Sequence, residues 1–250
     1  MSLLDFGWLE TVLLAGVRIV AFLIIAPPFS HGAIPARIRV MLGLGLAVAV
    51  APTLTAQQPL DTGAFIETLI MQVIVGFALG FLIQLAFAAL QSAGGLIDLF
   101  GGFQLAQGYD PQSLVNGAQF TRLFQITAIA LLFTTNGYQM VVAGIVRSFA
   151  VIPVSSMPDL SVNAQSLATG FSQMFLAAVQ IAGPLILVLF LADAGLGLLT
   201  RVAPALNAFS LGYPLKILIT ISFGGVLFVL LPGVVASIMD SGMTLLARAG

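Results

Sequence analysis

The amino-acid sequence predicts an all-α membrane protein built from about six long hydrophobic helices. Of its 250 residues, 60% are hydrophobic and only 7% are charged, whereas about 25% of the residues in globular domains are charged. Six stretches without a charged residue approach or exceed the roughly 20 residues that a helix needs to cross a bilayer; they are 19–36, 40–60, 68–97, 123–146, 160–192 and 217–239. These runs are continuous, unlike the alternating strands of an outer-membrane barrel.

The order of the elements follows from the ends of these runs. Pro27, Pro28 and Pro35 separate the first helix from the second, and residues 57–63 form the turn before the third. We expect one membrane domain over 1–250, folded as helical hairpins with about three helices in 1–120 and three in 121–250. The helices are expected near 12–27, 40–55, 66–92, 120–147, 166–191 and 216–240.

The later helices are expected to be interrupted. Asn136-Gly137 splits the fourth apolar run, and Gly183-Pro184 lies within the fifth. Helix-breaking residues also punctuate the link to the sixth helix, at Pro204, Gly212 and Pro214. Such breaks mark ion or substrate sites in secondary transporters, but they can equally shape curved helices for assembly.

The segment from Gly94 to Gln119 is the clearest candidate for irregular backbone. It is rich in glycine and glutamine and contains Asp110-Pro111, a combination typical of turns and loops. Unpaired peptide groups cannot face lipid, so such a segment must be wrapped in protein or line a wet cavity. We therefore expect it to have a functional role.

Charged residues near the apolar runs are further candidates. Arg18 stands within the first run, where a charge costs about 2.5 to 3.5 kcal/mol, so it should face protein or water; the alternative is a side chain that snorkels to the interface. Asp98, Asp193, Arg201 and Lys216 stand at the ends of runs. Interfacial placement, pairing between subunits and a transport path are the alternatives for these four, and we expect Arg201 to pair with Asp193.

A stripe of small and polar residues follows one face of the third helix. Its members recur every four residues and are Gln72, Gly76, Gly80, Gln84, Ala88 and Ser92. Small residues let two helices approach closely in a membrane, and amide side chains can bond across the contact. Packing within the monomer and contact with another subunit are the two alternatives.

The sequence lacks the residues that several functional classes require. The chain has no cysteine and one histidine, which excludes thiolate chemistry and multi-histidine zinc sites. The motifs of metalloproteases, serine hydrolases and phosphate-binding loops are absent, and no two acids lie close together in sequence. A net charge of -1 offers no basic face to nucleic acid. We expect no catalysis, metal or cofactor.

The ends of the chain and its basic residues give the expected orientation. Asp5 and Glu10 stand where a secretory signal carries positive charge, so we expect the N-terminus to be retained. Alternate loops place five basic residues on one side and only Arg147 and Arg248 on the other. The positive-inside rule then favours the first set as cytoplasmic and the N-terminus as outside.

The link after the fifth run resembles the signature of the FliR family of the flagellar type III export apparatus. The matching residues are Ala192-Asp193, Gly195, Leu198-Leu199, Arg201, Pro204, Asn207, Phe209, Gly212, Pro214 and Lys216. The opening is similar to that of the family in Arg18, Pro27, Phe29, Pro35 and Arg37, and the middle in Gly94, Asp98, Gly101, Asp110-Pro111, Ser148-Phe149 and Pro153. These matching residues occur in the family's order and spacing and extend over nearly the whole chain.

This resemblance implies a non-catalytic subunit of an export gate in the bacterial inner membrane, at the flagellar basal body. Its implied partners are FliP and FliQ, with FlhB adjoining and FlhA near, and unfolded flagellar proteins are the implied substrates. Family members form helical hairpins wound into a conical channel. A segment of the family plugs the closed pore, and it corresponds here to residues that include Gln104, Gln107, Gly108, Tyr109, Asp110, Pro111 and Asn116.

The sequence is compatible with two alternatives. The T subunits of injectisome export gates are similar, and the motifs do not separate them from the flagellar branch. A stand-alone secondary transporter could instead use Arg18, Asp98 and Asp193 around broken helices.

Overall fold

The computed structural model describes residues 6–32, 34–54, 59–103, 119–154, 160–203 and 208–248. Within these ranges the chain is helical and has no strand, which confirms the predicted all-α class. The helices are α1 Phe6–Ile25, α2 Ala36–Val50, α3 Thr62–Phe100, α4 Gln119–Thr134, α5 Gly137–Val151, α6 Leu160–Val202 and α7 Ala208–Arg248, with a short 3-10 helix at Ala51–Thr53 after α2.

Helices of membrane-spanning length account for most of the described residues. Five segments are long and apolar enough to cross a bilayer, and the consecutive pair α4 and α5 makes a sixth if it is one broken span. The five are Phe6–Ile25, Ala36–Thr53, Thr62–Phe100, Leu167–Val202 and Leu211–Val235. The six predicted helices therefore correspond to these segments, although most of them are longer than the sequence indicated.

The start of α2 differs from the prediction. The helix begins at Ala36, so Arg37 and Arg39 lie in its first turns instead of preceding it. The Arg39 guanidinium donates hydrogen bonds to the carbonyl oxygens of Phe29 at 2.8 Å and His31 at 2.9 Å. These bonds satisfy backbone groups of the turn between α1 and α2, which explains why a cation can begin an apolar helix here.

The predicted break at Asn136 is confirmed, since this residue has a φ of 57° between α4 and α5. Asparagine tolerates this left-handed conformation better than most residues. The expected interruption at Gly183-Pro184 is wrong, because Pro184 lies inside the continuous helix α6. Pro214 likewise lies inside α7. Neighbouring groups can satisfy the carbonyl that a proline leaves free in a membrane helix. A long apolar segment can therefore stay helical through a proline.

The expected irregular backbone from Gly94 onward is also partly wrong. Helix α3 continues to Phe100, so Gly94 and Gly95 are helical. Glycine costs about 1 kcal/mol in a helix interior relative to alanine, but Gly94 allows a close backbone contact with Phe120 and Thr121. Residues 104–118 lie outside the described part of the chain.

The chain forms two compact units, each assembled from separate sequence segments. The first contains 1–86, 132–171 and 238–250, and the second contains 87–131 and 172–237. The core of the first includes Leu14, Ile19, Phe22, Leu132 and Ile145, and that of the second includes Leu90, Ile97, Phe124, Leu185 and Leu189. Each unit draws on both halves of the sequence, and the single domain over 1–250 stays a prediction.

Candidate functional site

Among the described residues of the first unit, Arg18 is the largest fully buried side chain. It lies on α1 with 0% of its surface exposed, so its side chain faces protein and does not snorkel. Its Nε donates to Gln72 Oε1 at 2.6 Å, and its Nη1 donates to the carbonyl oxygen of Ile152 at 2.8 Å. Longer bonds run from Nη1 to the carbonyl and hydroxyl oxygens of Ser148, at 3.3 and 3.4 Å.

These partners place the guanidinium at the C-terminal end of α5. The last carbonyl groups of a helix lack partners within the helix and carry the negative end of its dipole. Ser148 and Ile152 belong to this end, and Phe149 adds a ring whose centroid lies 4.4 Å from Arg18 Cζ. Arg18 therefore caps α5 and is stabilised by dipoles and a π face, without a carboxylate among its described hydrogen-bond partners.

Gln72 on α3 completes this cluster. Its Oε1 accepts from Arg18, while its Nε2 donates to the carbonyl oxygen of Val154 at 3.0 Å. One amide thus joins α1 to the segment that follows α5. Gln72 is 1% exposed, and burial in a medium without water strengthens such bonds.

Gly76 and Gly80 bring α3 against α1 within the same chain. A Cβ at Gly76 would meet the Arg18 carbonyl oxygen and lie 2.8 Å from Ala21 Cβ, and one at Gly80 would lie 2.9 Å from the Phe22 carbonyl oxygen. At these two positions the stripe serves packing within the monomer, one of its two predicted alternatives. Contact of Gln84, which is half-buried, with another subunit stays a prediction.

A second buried charge, Asp98, lies in the second unit. It is 0% exposed, so its carboxylate faces protein, and its placement at the membrane interface stays a prediction. Its Oδ1 accepts from the Phe120 backbone N–H at 2.9 Å, and its Oδ2 accepts from the Thr121 N–H at 2.9 Å and hydroxyl at 3.0 Å. The carboxylate satisfies otherwise unpaired N–H groups at the start of α4 and matches the positive end of the helix dipole.

Close contacts surround Asp98 on α3, α4 and α7. The Phe103 and Phe120 rings meet edge to face with centroids 5.4 Å apart. Tyr213 on α7 donates to the Gly102 carbonyl oxygen at 3.2 Å, and Gly102 has a φ of 82° that favours glycine. A Cβ at Gly101 would lie 2.7 Å from Thr220 Oγ1. These contacts fix the residues on both sides of 104–118.

The predicted pair of Asp193 with Arg201 is not formed within the described chain. Asp193 on α6 instead accepts from Lys216 Nζ on α7 at 2.7 Å, with the two side chains 47% and 24% exposed. Arg201 is exposed in the last turn of α6, where a cation complements the helix dipole. Pairing of Arg201 with another subunit stays a prediction.

The remaining predicted residues lie outside the described ranges, since Gln104, Gln107, Gly108, Tyr109, Asp110, Pro111 and Asn116 all belong to 104–118. Among the described residues, no three acidic or histidine side chains come together in a way that could hold a metal ion. Sequence reasoning did not identify two sets of partners, the carbonyls at the end of α5 and the N–H groups at the start of α4. Only the buried charges themselves gave a signal for them.

Comparison with known proteins assigns the chain to a family of bacterial export proteins. The family model described as bacterial export proteins, family 1, matches residues 9–242. The chain belongs to this family. The residues that pack the two clusters, from Arg18 to Thr220, all fall within the matched range.

Similar proteins support the same assignment. The chain is 33% identical over 242 residues to the flagellar biosynthetic protein FliR of Pectobacterium carotovorum, covering 96% of this chain and 93% of the relative. It is 34% identical over 249 residues to FliR of Bacillus subtilis, covering 95% of each. Yop proteins translocation protein T of Yersinia pestis is 32% identical over 179 residues, covering 68% and 67%. The resemblance to the FliR family is confirmed.

Proposed function

We propose that this chain is a non-catalytic subunit of the flagellar type III export gate, through which unfolded flagellar proteins cross the bacterial inner membrane. The family match over residues 9–242 carries this proposal. The FliR relatives of Pectobacterium and Bacillus are matched over 93% and 95% of their lengths. The membrane-length helices provide the hydrophobic body that such a gate needs.

The distribution of exposed apolar residues supports assembly with hydrophobic partners. In an 18-residue apolar stretch of α1 and of α3, 56% and 61% of the residues are buried, against 22% in such a stretch of α6 and 17% in that of α7. Large side chains such as Phe175, Phe190 and Leu218 are 62%, 62% and 65% exposed. Lipid or other membrane subunits must cover such surface. Homologues of FliP and FliQ are the proposed neighbours, with FlhB adjoining and FlhA near.

The buried charges fit a scaffold better than a solute path. Arg18 caps α5 and Asp98 caps α4, and these residues belong to different compact units. Asp193 is paired with Lys216. Each charge proposed for a stand-alone transporter therefore has its own structural partner. In this proposal the energy for export comes from an ATPase and the proton motive force acting elsewhere in the apparatus.

Within this function we propose that Gln104 to Asn116 forms the plug of the closed pore. The proposal rests on the glycine and glutamine content of the segment and on the family resemblance. Gly108 permits unusual backbone angles and Asp110-Pro111 stiffens a turn, while the amides of Gln104 and Asn116 can bond neighbouring subunits. Such a plug could yield without unfolding a helix.

Deleting Gly108 to Ser113 tests the plug. We expect the complex to assemble in normal amount but to conduct small ions, measured in planar bilayers or as cell sensitivity to small toxic solutes. A deletion complex that assembles and conducts no more than the intact one contradicts the plug, and the segment would then be a connector.

The injectisome branch is the second candidate, favoured by the 32% identity to Yop proteins translocation protein T. The two candidates differ in the substrates that they pass. Imaging the detergent-extracted complex and identifying its other subunits tests both: flagellar partners support our proposal, and virulence-system partners support the second candidate. A monomer or homodimer that binds a small solute contradicts both.

A further inference from the structure

We propose that the outer face of α2 binds an anionic phospholipid. Arg37 holds the phosphate of the headgroup, and an acyl chain covers the apolar residues that follow it on the same face. We call this face the α2 surface and define it as Arg37, Met41 and Val48. It lies within the first compact unit and does not depend on the proposed export function.

The first argument is the way in which α2 packs. Its buried residues form one narrow stripe, and they are Gly43, Ala47 and Val50. A Cβ at Gly43 would meet the Val20 side chain of α1. One at Gly16, nearer the start of α1, would lie 3.6 Å from Ala47 Cβ. The stripe therefore faces α1, and the two helices are antiparallel.

The α2 surface lies on the opposite side of the helix from this stripe. Its three residues are spaced by four and seven positions, so they share one face of a helix with 3.6 residues per turn. The Met41 and Val48 side chains are 73% and 52% exposed, and Arg37 is exposed as well. A hydrophobic surface with a cation at one end is thus open to a ligand.

The second argument is that this cation has no neighbouring acid. Residues 11–60 include Arg18, Arg37 and Arg39 but no aspartate or glutamate. Arg18 donates to the Ile152 carbonyl oxygen and Arg39 to that of Phe29. No acid of the described chain pairs with Arg37. An anion from outside the chain therefore complements Arg37 in charge.

The acids nearest to α2 in sequence lie toward its other end. Glu10, in the first turns of α1, accepts from the Leu60 N–H at 3.1 Å, and Leu60 follows the end of α2. Because α1 and α2 are antiparallel, this contact is far from Arg37. The α2 surface therefore has its positive charge at one end only, as a phospholipid has its phosphate at one end.

The third argument is the length of the α2 surface. At 1.5 Å per residue, the helix rises about 16 Å from Arg37 to Val48. The hydrocarbon core of a bilayer is about 30 Å thick, so one leaflet provides about 15 Å of acyl chain. A phospholipid whose phosphate lies at Arg37 covers Met41 and Val48 with one chain.

The chemistry of the guanidinium favours an anionic lipid over a zwitterionic one. Arginine can donate two parallel hydrogen bonds to one phosphate, which gives both strength and orientation. The phosphate of phosphatidylcholine already has a cation in its own headgroup, whereas that of phosphatidylglycerol has none. Phosphatidylglycerol therefore matches the charge of Arg37 better.

The test is native mass spectrometry of the complete detergent-extracted complex, equilibrated with equal amounts of phosphatidylglycerol and phosphatidylcholine. We expect the intact complex to retain phosphatidylglycerol in preference. Arg37→Gln should lower the apparent affinity for phosphatidylglycerol about fivefold, because one basic residue at an anionic membrane surface strengthens binding by about that factor. Binding of phosphatidylcholine should not change.

Two further variants make the result specific. Arg122→Gln is the matched control: Arg122 is also exposed near the start of a helix, but the Asp98 carboxylate already lies at that helix start, where it accepts from the Thr121 N–H. This control should keep the affinity of the intact complex. Ala36→Glu places an acid beside Arg37 in the first turn of α2, where a negative charge suits the helix. It should weaken phosphatidylglycerol binding as Arg37→Gln does, and it decides the question if Arg37→Gln does not assemble.

A soluble headgroup separates a lipid site from a phosphate site. Glycerol phosphate at the same concentration should not displace phosphatidylglycerol, because it has no acyl chain to cover Met41 and Val48; displacement would overturn the lipid assignment. Equal retention of the two lipids by the intact complex would also overturn the proposal. So would an unchanged affinity in Arg37→Gln, the result expected if a helix of another subunit covers the α2 surface, or an equal loss in Arg122→Gln.

Discussion

Replacing Arg18 with methionine is the most informative perturbation of the first unit. The variant keeps an unbranched apolar side chain in the buried position but removes every bond from the guanidinium. The two short bonds, to Gln72 Oε1 at 2.6 Å and to the Ile152 carbonyl at 2.8 Å, are then lost. Both acceptors stay buried without that donor, so the loss is larger than the value of the bonds alone.

The magnitude follows from these two bonds. Hydrogen bonds to a charged group contribute about 1.5 to 3 kcal/mol each, which gives roughly 3 to 6 kcal/mol for the pair. Removing the guanidinium also relieves its desolvation, which offsets part of this loss. We expect a net destabilisation of about 3 kcal/mol, or roughly 6 to 12 °C in the midpoint of thermal unfolding for a chain of this size.

The assay is the recovery of intact detergent-solubilised complex by size-exclusion chromatography after heating to a series of temperatures. Arg147→Met is the matched control, because Arg147 lies on α5 beside Ser148 but is exposed. Gln72→Leu should couple to Arg18→Met: the double variant should be more stable than the sum of the single effects indicates, by about 1 kcal/mol or more. If Arg18→Met unfolds at the same temperature as Arg147→Met, the capping role is wrong.

Two other predictions concern helix packing and surface charge. Gly80→Leu should lower complex recovery, because the added side chain meets the α1 backbone and overpacking costs about 1 to 3 kcal/mol or more. Gly45→Leu is the control and should leave recovery unchanged, because a Cβ at Gly45 meets nothing within 4 Å. Equal recovery of the two variants would contradict the contact between Gly80 and α1. Lys216→Ala and Asp193→Ala should couple by about 0.2 to 1 kcal/mol, since the pair is partly exposed; a stronger coupling of Asp193→Ala with Arg201→Ala would instead restore the pairing predicted from sequence.

The helices could be predicted from the sequence because lipid imposes a length on every apolar run. Charge-free stretches near the required length gave the number of membrane segments, and Asn136 gave the break between α4 and α5. Their ends were less predictable. Pro184 and Pro214 were predicted to interrupt helices but lie within them. A local glycine or proline motif does not report how strongly a long apolar segment in a membrane favours a continuous helix.

The candidate site was likewise only partly predictable from the sequence. The sequence could indicate that Arg18 must be buried in protein, since a charge within an apolar run has few other options. It could not provide the partners, because the carbonyls that Arg18 binds lie 130 and 134 residues away. These acceptors are backbone atoms, which every residue carries, so no side-chain pattern distinguishes them. Asp98 poses the same difficulty, since two of its three donors are backbone N–H groups of the next helix.

Secretion of flagellar proteins tests the central claim most directly. The gene for this chain is deleted in its native host, and flagellar subunits released into the medium are measured with and without re-expression of the intact chain. The export-gate assignment predicts that secretion is lost in the deletion, with the subunits retained in the cell, and is restored by re-expression. Unchanged secretion of flagellar subunits in the deletion strain would contradict the assignment.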